Sequence, residues 1–227
     1  GRCRKTRHAA PPELGVMQAS LDMPDPGVAR DLPRLRLAQF PTPLDRSPRL
    51  GAAIGCPGLV VKREDLSGLG LGGNKPRQLE VILADAKRQG CDTVVTTAAA
   101  QSNFCRATAA ACAELGWRCV LLLRGSPDAA VVGNLLLDRL FGARIEWIDT
   151  ADPYSDAIQE RLDALMADEK ARGRVPYLVR LPGVTGPLAA AAAAGLADEI
   201  VDQSDEPADW VALAVGSGLT AAGLLAG

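Results

Sequence analysis

Residues 59–89, LVVKREDLSGLGLGGNKPRQLEVILADAKRQ, carry the reading that decides the fold class. The run LVVKR at 59–63 has the apolar, β-branched composition of a strand. A glycine-rich stretch follows, and then a helix predicted over 74–89. Asn74 is a good N-cap, Pro76 falls in the first turn where its missing N–H has no intrahelical role, and Gly90 closes the pattern. Leu79, Ile82, Leu83 and Ala86 recur on one face and supply its buried stripe.

Outward from this unit the alternation continues. Strands are predicted at 93–97 (TVVTT), 118–123 (RCVLLL), 144–149 (RIEWID), 176–181 (PYLVRL) and 210–215 (WVALAV), most of them near-continuous apolar runs, as when both faces of a sheet are covered. A helix at about 103–115 presents Phe104, Thr108, Ala111 and Leu115 on one face and stops at Gly116. Another at about 155–172 turns Ile158, Leu162, Leu165 and Met166 inward and stops at Gly173. The alanine run 189–194 is compatible with a helix, and a further one begins at Ala221. Strands alternating with helices predict an α/β fold of open, mostly parallel sheets with helices on both faces and right-handed crossovers. Residues 1–32, with the cluster Arg2, Arg4, Lys5 and Arg7 and several prolines, read as a disordered tail.

Composition narrows the function classes. The 227 residues amount to about one and a half domains on a prior of about 150 per domain. With 48% hydrophobic residues, 23% charged residues and a net charge of −2, the chain lacks the basic excess that a nucleic-acid backbone attracts. Apolar runs fall short of the roughly 18 residues of a membrane span, and no secretory leader is recognised at the start. The only histidine, His8, lies in the tail, so the body holds no Ser-His-Asp triad, Cys-His dyad or histidine metal site. The six cysteines form no C-x-x-C pair, which removes zinc spacing and suits a cytoplasmic protein. Cys105 and Cys112 are read as small buried apolar residues.

Three loops then carry the chemistry. Gly68, Gly70 and Gly73 satisfy G-x-G-x-x-G, the dinucleotide fingerprint, but no acidic residue ends the next strand to hold a ribose. Lys75 stands in a first helical turn, where a cation opposes the macrodipole; it is either a solvated lysine at a cost of about a few tenths of a kcal/mol or a neutral, nucleophilic amine. Gln101-Ser102-Asn103 follows strand 93–97, with an N-cap as the plain alternative for Ser102 or Asn103. Gly216-Ser217-Gly218-Leu219-Thr220 follows 210–215 and opens a helix, a setting that binds phosphate unless it is only a tight turn. An amine, a hydroxyl–amide pair and a phosphate cup together suit pyridoxal 5′-phosphate.

In order and spacing, VVKREDLSGLGLGGNKPRQLE (60–80), AAAQSNFCRATAAACAELG (98–116) and AVGSGLTAAGL (214–224) resemble the fold-type II pyridoxal-phosphate enzymes of the D-cysteine desulfhydrase and 1-aminocyclopropane-1-carboxylate deaminase family. The resemblance covers about residues 34–227. It implies that Lys75 holds the cofactor aldehyde and later moves the substrate's Cα proton, that the Ser102 hydroxyl acts on the substrate, and that Asn103 bonds the cofactor's phenolic oxygen. Gly216, Ser217, Gly218, Leu219 and Thr220 would hold the phosphate. The implied reaction is β-elimination from D-cysteine to pyruvate, sulfide and ammonia, or ring opening of the cyclopropane to 2-oxobutanoate and ammonia. A homodimer and a small amino-acid substrate are implied, as is a larger cofactor domain of 33–89 and 183–227 around a smaller domain of 90–182.

The chain departs from the family at Phe104, where a polar residue is usual, and at Leu219, where a further glycine is usual. The family also continues past this C-terminus, with the partner of the pyridine nitrogen and a substrate-contacting tyrosine there, so the larger domain is expected to be incomplete. Two other readings stay open: a member that binds cofactor without turnover, and a nicotinamide-dependent oxidoreductase using Gly68, Gly70 and Gly73.

Overall fold

The computed structural model describes residues 32–181 and 183–227, so the predicted tail and His8 lie outside the described residues but for Leu32. Four parallel strands form the main sheet: β3 (Thr93–Ala99), β4 (Arg118–Arg124), β5 (Arg144–Ile148) and β6 (Pro176–Val179), in the order β5-β4-β3-β6. Two shorter strands, β1 (Leu44–Arg46) and β2 (Val60–Lys62), pair antiparallel as a separate ribbon, with Asp45 opposite Val61. Thus the segment 59–63 contains a strand as predicted, and its partner is the short segment Leu44–Arg46.

The helices are α1 (Pro48–Ile54), α2 (Lys75–Arg88), α3 (Asn103–Leu115), α4 (Gly133–Leu140), α5 (Asp156–Ala171), α6 (Gly186–Gln203) and α7 (Leu219–Ala226). Side chains alternate across the main sheet, as a period of two requires. Val94, Leu121, Leu123 and Val179 join a core with Leu79, Ile82 and Leu83 of α2, Cys105 and Ala111 of α3, and Leu135 of α4. Val95, Val120 and Leu122 face the other way onto Ile158, Leu162 and Leu165 of α5. Helices therefore cover both faces of the sheet. Cys105 and Cys112 are buried as small apolar residues, as their sequence setting predicted.

A buried ion network ties α2 to its surroundings. The Arg77 guanidinium, 4% exposed, pairs with Glu64 at 2.8 Å and with Glu199 of α6 at 2.6 Å, and lies 4.1 Å over the Phe40 ring. Glu199 also pairs with Lys62 at 2.7 Å, joining the β1–β2 ribbon to α6. On the next turn of α2, Glu80 accepts from the backbone N–H of Leu37 and Ala38.

One predicted strand does not form. Residues 210–215 make no ladder, and Trp210 and Val215 are 83% and 65% exposed. A strand exists through its neighbour's N–H and C=O groups, and none of the described strands runs beside this segment. The stretch instead borders an apolar groove of about 620 Å³ together with α6 and α7. None of the described helices is long and apolar enough to cross a membrane. No group of three or more His, Cys, Asp or Glu among the described residues is arranged to hold a metal ion.

Candidate functional site

Lys75 is the first residue of α2, at the end of the glycine-rich loop. The loop is shaped by the chain's own crowding. A Cβ on Gly72 would collide with the Asp65 carbonyl, and one on Gly70 would come within 2.5 Å of the Ala110 Cβ on α3. Gly70, which the dinucleotide reading had approach a pyrophosphate, thus permits close packing of protein on protein, as does Gly72, which lay outside that fingerprint. Half-burial lowers the Lys75 amine below its ordinary value, and desolvation is the cause.

Asn74 makes no side-chain cap, contrary to its sequence reading. Its Nδ2 donates instead to Thr220 Oγ1 at 2.8 Å, and Gln78 Nε2 approaches the same oxygen at 3.5 Å. One hydroxyl therefore joins the residue before Lys75 to the loop 216–220. That loop leads into α7, whose first N–H groups have no intrahelical acceptor. Positions where a Cβ would stand on Gly216 and Gly218 face open space. Leu219 is buried in the main core, so its side chain turns away from the loop's open side.

Ser102 is the N-cap of α3, and its Oγ accepts from the backbone N–H of Phe104 at 3.1 Å and Cys105 at 3.2 Å. The Ser102 hydroxyl also hydrogen-bonds the Cys105 side chain, and it carries a proton of its own to donate. Asn103 Oδ1 accepts from Asn134 Nδ2 at 3.0 Å, which leaves the Asn103 amide nitrogen as a donor. The same Asn134 amide also donates to the Gln101 carbonyl at 2.8 Å, and its backbone N–H donates to Gln101 Oε1 at 2.9 Å. Asn134 was missed from sequence, although a Gly-Asn dipeptide ahead of an apolar run is a usable helix-start signal. Phe104 is buried in the core beneath this loop.

The helix after the Gln101–Asn103 loop reaches the glycine-rich loop: Arg106 Nη2 donates to the Gly72 carbonyl at 3.0 Å. A half-buried amine of lowered pKa, a loop with space at its glycines before a helix N-terminus, and a hydrogen bond uniting the two fit a phosphate-bearing aldehyde. The family model described as pyridoxal-phosphate dependent enzyme matches residues 35–227. This chain belongs to that family.

Its relatives include a protein of Pyrococcus horikoshii named putative 1-aminocyclopropane-1-carboxylate deaminase, 36% identical over 195 residues, and a D-cysteine desulfhydrase of Klebsiella pneumoniae, 39% identical over 202. Each match takes in 86% of this chain but only 58% and 60% of the relative's own length. A crystal structure titled as an ACC deaminase homologue superposes with a TM-score of 0.78 at 34% identity, covering 88% of this chain and 60% of that one. Diaminopropionate ammonia lyase of Escherichia coli, in its apo form, shares the fold with a TM-score of 0.61 at 21% identity over 83% of this chain and 54% of its own. Pyridoxal phosphate supplies an electron sink and a phosphate handle.

Proposed function

We propose that the protein of which this chain is part is a pyridoxal-phosphate-dependent lyase or deaminase of a small amino acid, most simply a D-cysteine desulfhydrase. The observation that carries this reading is the Asn74–Thr220 hydrogen bond, which joins the residue before Lys75 to the glycine-rich loop 216–220. Bound pyridoxal phosphate supplies a sink for the charge left when a Cα proton departs. Lys75, kept toward its neutral form by burial, holds the cofactor and then takes that proton on Nζ. The backbone N–H groups at 216–220 hold the phosphate, with the Leu219 side chain anchored in the core behind them. Ser102 donates its hydroxyl proton toward the substrate, its oxygen being fixed by two backbone N–H groups. Asn103, oriented by Asn134, donates to the cofactor's ring oxygen.

The Pyrococcus relative's name favours a second reading, ring opening of 1-aminocyclopropane-1-carboxylate. Product analysis separates the two: pyruvate and sulfide from D-cysteine support the first, and 2-oxobutanoate from the cyclopropane supports the second. Release of neither from the cofactor-loaded full-length protein would contradict both. The division into a larger domain of 33–89 with 183–227 and a smaller one of 90–182, a homodimer and a cytoplasmic setting belong to the same proposal.

A further inference from the structure

Two buried charged groups outside the cofactor loops lack hydrogen-bond partners on part or all of their polar atoms. Arg106, 6% exposed on α3, donates to the Gly72 carbonyl through Nη2, while its Nη1 is unpartnered among the described residues. Asp138, 0% exposed on α4, has neither carboxylate oxygen partnered. Native proteins seldom leave such groups unsatisfied, because a buried charge without compensation is costly. Here each is the other's attractive charge: Asp138 raises the Arg106 pKa against its desolvation, and Arg106 lowers that of Asp138. Cys105 of α3 and Cys119 of β4 also feel the Asp138 charge.

The Gly72 carbonyl lies three residues before Lys75, in a turn whose other groups are pinned as well. Gly73 N–H donates to the Glu64 carbonyl at 2.8 Å, and Ser67 Oγ donates to the Gly73 carbonyl at 2.9 Å. Arg106 reaches this turn by a side-chain hydrogen bond from α3, the helix that Ser102 caps. We propose that Arg106, with Asp138 as its buried counter-charge, is a positioning residue that fixes the glycine turn and thereby the half-buried setting of the Lys75 amine. This deepens the proposed function, on whose assignment of Lys75 it rests. Arg106 acts through the turn and need not touch substrate.

The test reads Lys75 without cofactor, by competitive acetylation with acetic anhydride across pH and mass spectrometry, using Lys87 and Lys170 as internal references. In Arg106→Met the freed turn exposes the amine, so its titration rises toward the ordinary lysine value and its neutral fraction at pH 8 falls about threefold or more. Asp138→Asn gives a shift of the same sign, and Arg106→Lys, which keeps a donor and the charge, restores most of the wild-type titration. An unchanged Lys75 titration in folded Arg106→Met overturns the proposal. Should that variant fail to fold, an unchanged titration in the near-isosteric Asp138→Asn does so instead. The probe never involves an amino-acid substrate, so failure of the proposed reaction and failure of this positioning role are read separately.

Discussion

The strands β3 to β6 and the segment 204–227 are both rich in apolar residues, yet they are built differently. Val120 to Leu123 of β4 are buried on both faces, with β3 and β5 hydrogen-bonded on either side. Trp210, Val211 and Val215 are as apolar and as β-branched or aromatic, but stand exposed without a neighbouring strand. Hydrophobicity nominates a strand, and pairing makes one. The consequence for the site is that Lys75 and the Gln101–Asn103 loop rest on helices packed against the paired strands. The loop 216–220, in contrast, is held by α6 and α7 and by Asn74.

The largest effect should come from the paired sheet. Leu121→Ala removes a fully buried side chain at the centre of the sheet and should lower stability by about 2–5 kcal/mol in urea unfolding. A titration sharpens the same contrast. Burial raises the Asp138 carboxyl from the ordinary aspartate range to about 7. Between those values the unfolded chain has lost this proton while the folded chain keeps it, so the Asp138 contribution to stability falls as pH rises through that window. Asp138→Asn should remove this fall, which urea midpoints measured from pH 4 to pH 8 would register.

A smaller cost is expected at Gly70. The added Cβ of Gly70→Ala approaches Ala110 to 2.5 Å at a positive φ of 52°, for about 1–3 kcal/mol by thermal unfolding. The smallest effect belongs to the unpaired segment. Val215→Ser should change stability by less than about 0.5 kcal/mol, and a loss as large as that of Leu121→Ala would mean the two regions do not differ as described.

Much of this was legible in the sequence where local signals and burial agree. The stripe Leu79, Ile82, Leu83 and Ala86 is fully buried, and α3 runs from Asn103 to Leu115 as its Ser102 start and Gly116 stop require. Lys75 was marked by a charge in the wrong helical turn, and its lowered pKa agrees with that reading, though burial is the cause. The remainder depended on distant partners. No local pattern says that Asn74 will turn from capping its own helix to meet Thr220, 146 residues away. Strand 210–215 failed for want of a neighbour, which periodicity does not report. Asp138 did carry a signal, a single acid three residues from Leu135 on the buried face of α4.

The central claim is that Lys75 and the loop 216–220 form one cofactor site. Incubation with pyridoxal 5′-phosphate, borohydride reduction and peptide mapping address it directly. The account predicts a reduced adduct on Lys75 that Lys75→Ala abolishes, whereas an adduct spread over Lys62, Lys87 and Lys170 with Lys75 unmodified would contradict it.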